Sequence, residues 1–240
     1  MVTTPNQRDA RRPVLRRARV TGALLLVALL AGLAGTQAAA QEKGAASGAA
    51  PAGEQASAGV VIGQEPALSA LRESLRYVEA GVPFRLGGKT TVDEYLRLQG
   101  SDPRAAASAG VDASGLVVNA LRAAVPGVRF FAGPPDQGRT AEYVTSAMLR
   151  RYNSTEVSIE EARPGDLLFF KSPSTGQVTG VGIVHVVMPG VVRVVVASAS
   201  QGRVVETGIR IGGAYWASQV DAVARLVLPP GVTAAAAESR

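Results

Sequence analysis

The 240-residue chain has no cysteine and a single histidine, His185. Without cysteine there is no disulfide framework, no thiol nucleophile, no lipid-modified cysteine anchor and no thiolate-bound zinc. One imidazole cannot build a metal site of several histidines, so neither a metal nor any other cofactor is expected. Long apolar runs are missing as well. The best candidate, residues 21–33, falls short of the ~20 residues that span a bilayer. Net positive charge is scarce beyond the first forty residues. Six arginines between Arg8 and Arg19, against one aspartate, account for +5 of the formal net charge of +6. The remainder lacks the basic face that a nucleic-acid partner requires.

What is present begins with an address. The arginine-rich start, the apolar run and Ala38-Ala39-Ala40 before Gln41 make the three parts of a signal peptide over residues 1–40. An uncleaved signal anchor is the alternative, and the alanine-rich exit favours cleavage. Arg11-Arg12 fits a twin-arginine leader only loosely. The expectation is an exported protein of the periplasm or cell envelope, or an extracellular one, with no stable membrane anchor after cleavage. Residues 41–66, rich in Ala, Gly, Ser and Gln without periodicity, read as a flexible linker. Residues 229–240 read as a disordered tail. The stretch 67–228 has the length of one domain.

Within it, Leu68, Leu71, Leu75 and Val78 recur at helical spacing and predict a helix over 67–80, ended by Gly81 and Pro83. A turn-rich stretch follows at 84–88, a short helix at 91–98, and loop or weak helix at 101–109. A central helix over 113–124 stops at Pro126 and Gly127, and another is predicted over 140–152. The second half turns to β-branched runs at 166–171, 180–188, 191–197, 204–209 and 220–228. Their short connections predict antiparallel neighbours. The class is α+β, with N-terminal helices packed on a C-terminal antiparallel sheet of about five strands.

Between 110 and 116 the chain reads Gly-Val-Asp-Ala-Ser-Gly-Leu. Asp112 and Ser114 are helix-start residues, followed by Leu116, Val117, Ala120 and Leu121 at helical spacing. A nucleophile just inside such a helix would feel the positive end of its dipole. A methyl group, Ala113, stands there instead. Ser114 is turned about 100° away by one helical step and is read as a serine bonding local backbone. Asp112 and Asp166 read as cap and turn stabilisers, and Glu160 and Glu161 as a solvated turn.

Six stretches then occur in a telling order: Gly81-Val82-Pro83-Phe84-Arg85-Leu86-Gly87-Gly88, Asp112-Ala113-Ser114-Gly115-Leu116, Pro164-Gly165-Asp166-Leu167-Leu168-Phe169-Phe170, Thr179-Gly180-Val181-Gly182-Ile183, Val196-Ala197-Ser198 and Tyr215-Trp216. Over residues 77–228 the chain thereby resembles the NlpC-type cell-wall endopeptidases, a papain-like family that cuts cross-links or stem peptides of peptidoglycan. The resemblance implies a papain-like fold. In that family a thiol attacks the carbonyl, an imidazole takes its proton and a third polar group orients the imidazole. Motif by motif, those positions fall on Ala113, Gly180 and Val196. A tyrosine that the family places beside the reacting carbonyl falls on Phe84.

The expectation is therefore a chain that is not an enzyme. It would be a non-catalytic domain whose groove, formed by Phe84, Arg85, Leu86, Asp112, Ala113, Ser114, Gly180 and Val196, binds peptidoglycan stem peptide. Two alternatives stay open. One is an envelope scaffold or regulator that binds another envelope protein through the longer segments 89–111 and 126–163. The other is an active peptidoglycan endopeptidase with a different nucleophile. His185 lies five residues beyond Gly180, roughly 16 Å along a strand and on the opposite side, and is not expected to act as its base.

Overall fold

Five strands, four of them rich in β-branched residues, dominate the computed structural model, which describes residues 59–231. They are β5 (Leu167–Lys171), β6 (Val178–Met188), β7 (Val191–Ser198), β8 (Arg203–Arg210) and β9 (Val220–Leu228). Before them run β1 (Val60–Val61), α1 (Gln64–Ala80), α2 (Val92–Ser101), α3 (Pro103–Ser108), α4 (Ala113–Ala124), β2 (Phe130–Phe131), β3 (Thr140–Ala141), α5 (Ser146–Tyr152) and β4 (Ser154–Val157). A short α6 (Ala214–Gln219) leads into β9.

β5 to β8 form an antiparallel meander, and β9 crosses back to pair with the outer side of β5, Leu167 facing Ala224. The α+β class expected from the residues is the one found. The sheet has seven strands rather than about five, because β1 and β4 both add to the free side of β9 (Val60 opposite Leu228, Ser154 opposite Leu226). Runs of two and four residues are too short to show a period of two, which is why the sequence hides them.

Two boundaries move. The linker expected through residue 66 gives way to structure by Val60: β1 pairs, Ile62 is buried, and α1 starts at Gln64. Pro66 sits in the first helical turn, where its missing N–H costs nothing. The expected signal peptide at 1–40, the linker before residue 59 and the tail from 232 lie outside the described residues. The helix expected over 140–152 begins only at Ser146. Thr140 and Ala141 pair with Phe131 and Phe130 instead, and the Thr145 hydroxyl caps α5 by accepting from the Met148 N–H at 3.3 Å.

Strand alternation sorts the sheet into two faces. Leu167, Phe169, Val181, Ile183, Val195 and Ala224 meet Leu71 and Tyr77 of α1 and Leu116, Val117 and Ala120 of α4 in the main core. Leu168, Val184, Val194 and Val223 point the other way, into a smaller cluster covered partly by Trp216 of α6. α1 ends at Gly81, whose left-handed φ of 66° lets its N–H reach the carbonyl of Val78. The turn brings residues 82–84 to the sheet edge, where Val204 N–H donates to Val82 O and Phe84 N–H to Gly202 O. Among the described residues no helix is long and apolar enough to cross a membrane.

Candidate functional site

The start of α4 is built around one carboxylate. Asp112 Oδ1 accepts from the Gly115 N–H at 2.6 Å and from the Ser114 hydroxyl at 3.0 Å, while Oδ2 accepts from the Gly87 N–H at 3.0 Å. Asp112 thus caps the helix and fastens the turn 85–88 to it. The approach is close enough to demand glycine. A side chain on Gly115 would run into the Gly88 carbonyl oxygen, and one on Gly88 would lie 2.5 Å from the Gly110 oxygen.

Beside this junction opens a cleft of about 220 Å³, lined by Phe84 and Leu86, by Asp112, Ala113 and Ser114, by Thr145, Ser146 and Ala147 at the start of α5, and by Val178 and Thr179 of β6. Leu86 stands on its rim 90 % exposed. Five of the eight residues expected in the groove are here: Phe84, Leu86, Asp112, Ala113 and Ser114.

Three are not. Arg85 turns away, its guanidinium donating to the Ala107 carbonyl at 2.7 Å and its stem lying over Gly110. Gly180 and Val196 belong to the opposite face of the sheet. Gly180 pairs with Phe170, against whose Cβ a side chain there would sit at 3.5 Å, and Val196 pairs with Gly182 and packs on the far-side cluster. The pairing then steps from Phe170 with Gly180 to Lys171 with Val178, leaving Thr179 unmatched. This bulge reverses the phase of the strand and turns Val178 toward the main core. Hence β6 offers the cleft Val178 and Thr179.

The lining residues that sequence reasoning missed are Thr145, Ser146, Ala147, Val178 and Thr179. Thr145 carried a signal, a hydroxyl residue three positions before a helical N–H, but a helix drawn from residue 140 hides a cap inside itself. Ser146 is buried, whereas Thr145, Ala147 and Thr179 are exposed, so the cleft is open and rich in hydroxyl groups.

His185 stands six residues beyond Thr179 along β6, roughly 20 Å in an extended strand. Its Nδ1 is 2.7 Å from Glu206 Oε1, and Arg193 donates to Glu206 Oε2 at 2.6 Å. Glu206 therefore binds it within a cross-strand ion cluster on β6, β7 and β8. Among the described residues no group of three His, Asp or Glu side chains could hold a metal.

An antiparallel sheet backed by a central helix whose capped start opens on a cleft defines the papain-like class of α+β domains. The chain belongs to the NlpC/P60 family, whose model matches residues 81–224, more than half of its length. Comparison with curated proteins gives no match. Among solved structures it is similar to a lipoprotein-like NLP/P60 family protein of Staphylococcus aureus (21 % identity, TM-score 0.43, 71 % of this chain and 44 % of that one). It is also similar to an NlpC/P60 family protein of Bacillus cereus (19 %, 0.42, 68 % and 40 %) and to NlpC1 of Trichomonas vaginalis (15 %, 0.42, 71 % and 46 %). The alignments span less than half the length of each of these relatives.

Family membership corrects the expectation of a chain that is not an enzyme. NlpC/P60 proteins are normally cysteine peptidases, and the match over residues 81–224 assigns this chain to that family without showing any loss of catalytic residues. The geometry also removes the argument behind that expectation. Four positions were taken to vacate one site, yet only Ala113 and Phe84 share the cleft. Gly180 and Val196 face away and carry no information about what the cleft does. Composition still constrains the chemistry: with no cysteine in the chain, the nucleophile of any cleavage is not a thiol.

Proposed function

We propose that the cleft beside Ala113 receives an extended peptide and that its ligand is the stem peptide of peptidoglycan, met in the cell envelope after export. The observation that carries this reading is the open cleft of about 220 Å³ at the capped start of α4, in a domain whose family usually acts on peptidoglycan. The apolar rim at Leu86 and Phe84 suits an aliphatic side chain. The hydroxyls of Ser114, Thr145 and Thr179 suit the polar backbone of an extended chain. Positioning of a peptide is separable from its cleavage, so one mixture reads both.

The test is co-sedimentation of the purified protein with cell-wall sacculi, with released peptides measured in the supernatant. Wild type is expected to pellet with sacculi, and Ala113→Phe, which fills the cleft from a partly exposed position, to lose about tenfold or more in affinity. Failure of wild type to pellet at physiological salt overturns the reading. Peptide release that Ser114→Ala abolishes would assign cleavage to an oxygen nucleophile in the same cleft.

A further inference from the structure

One wall of the cleft, the segment carrying Thr145 to Ala147, is preceded by Tyr143. The facing wall, carrying Phe84 and Leu86, runs on to Lys89. These two residues meet: Lys89 Nζ lies 4.7 Å from the centre of the Tyr143 ring, and the guanidinium carbon of Arg122 lies 5.0 Å from the same centre. Beneath the ring, the Tyr143 hydroxyl donates to Asn119 Oδ1 at 2.8 Å. The Asn119 amide donates in turn to the carbonyl oxygens of Lys89 at 3.0 Å and Thr90 at 3.2 Å. Asn119 is buried on α4, so both walls are tied to one helix and the two cations stand on a fixed base.

The charges there do not balance. Glu142 is shared between Arg122 at 2.9 Å and Arg129 at 3.7 Å. Among the described residues no carboxylate forms an ion pair with Lys89. Arg122 and Arg129 thus share one carboxylate while Lys89 has none, and the Tyr143 ring offsets only part of the repulsion between Lys89 and Arg122. An added anion would relieve it. Lys89, with three rotatable N–H donors and no anionic partner, is the group free to bind one.

We propose that the surface around Tyr143, outside the cleft lining but next in the chain to two of its walls, is a carboxylate subsite, in which Lys89 binds a free carboxylate of a peptide that extends beyond the cleft and Arg122 adds to the field. The proposal rests on the peptide-binding reading of the cleft and specifies the kind of peptide: one that carries an unamidated acid.

The experiment measures binding of stem tetrapeptides, each carboxylate either free or amidated, to the full chain by calorimetry. Wild type is expected to prefer one free acid over its amide by about fivefold at low salt. Lys89→Gln is expected to bind acid and amide alike while unfolding at the wild-type temperature, and Lys89→Arg to keep the preference. Equal affinity of wild type for every acid and amide, or a preference that survives in Lys89→Gln, overturns the subsite and leaves the peptide reading in place. Retention on sacculi without binding of any tetrapeptide does the same. No binding to tetrapeptides or sacculi overturns both.

Discussion

Asp112 is the residue on which the site turns, because one carboxylate both starts a helix and anchors the turn that walls the cleft. Asp112→Ala is expected to cost about 2 kcal/mol, a lost cap plus an N–H left without its partner. Urea denaturation would show the change as a lower midpoint with an unaltered slope. Peptide binding should fall with it even where the protein remains folded, since the turn 85–88 carries Leu86. Ser114 acts in the same arrangement. Its hydroxyl hydrogen goes to the Asp112 carboxylate at the helix start, not to local backbone as expected. Ala113 itself was legible as a small residue just inside a helix. That the cleft around it is open was not, since that depends on β6 and α5, which are far away in sequence.

At the scale of elements, α5 matters more than its seven residues suggest. Asn153, fully buried just after it, accepts from the Phe131 N–H at 2.7 Å and donates to the carbonyl oxygens of Phe131 and Met148, both at 3.0 Å. It clamps the small β2–β3 ribbon to α5 and so fixes the wall made by Thr145, Ser146 and Ala147. Asn153→Ala should cost about 3 kcal/mol, because three backbone groups lose partners in the interior. Thermal unfolding would read this as a clear drop in midpoint, and a change within error would show that water replaces the amide. The five main strands and α4 were legible because apolar runs and helical spacing persist over five residues or more. β2, β3 and β4 were not, for each is stabilised by a partner rather than by its own pattern.

At the scale of the molecule, Arg225 joins the parts. Its guanidinium meets Asp166 through two bonds of 3.0 and 3.1 Å and donates to the Glu161 carbonyl at 3.1 Å. That links β9 to the start of β5 and to the turn before it. The hydrogen bonds to Asp166 raise the guanidinium pKa above its ordinary value. Asp166 is 4 % exposed. Arg225→Met is expected to destabilise by about 3 kcal/mol by leaving that carboxylate buried alone. The double variant with Asp166→Asn should lose less than the two single changes together, which a double-mutant cycle on denaturation midpoints would measure. Additive losses would show that the two groups do not interact.

Read along the chain alone, the residues were sufficient for the α+β class and the exact bounds of α4 and β9, which follow from patterns confined to a few neighbouring residues: helical spacing after a capping aspartate and β-branched runs. The NlpC/P60 family, and five residues that line the cleft, came from the resemblance of six motifs in order. The sides taken by Gly180 and Val196 were settled only in three dimensions. Motif order carries no phase, and a single bulge at Thr179, created by pairing with a strand elsewhere in the sequence, decides which side chains of β6 meet the helix. That same long-range packing brings Thr145 to the cleft and Lys89 to the Tyr143 ring. The physical reason is that face and proximity are properties of the pairing between segments, which no segment encodes alone.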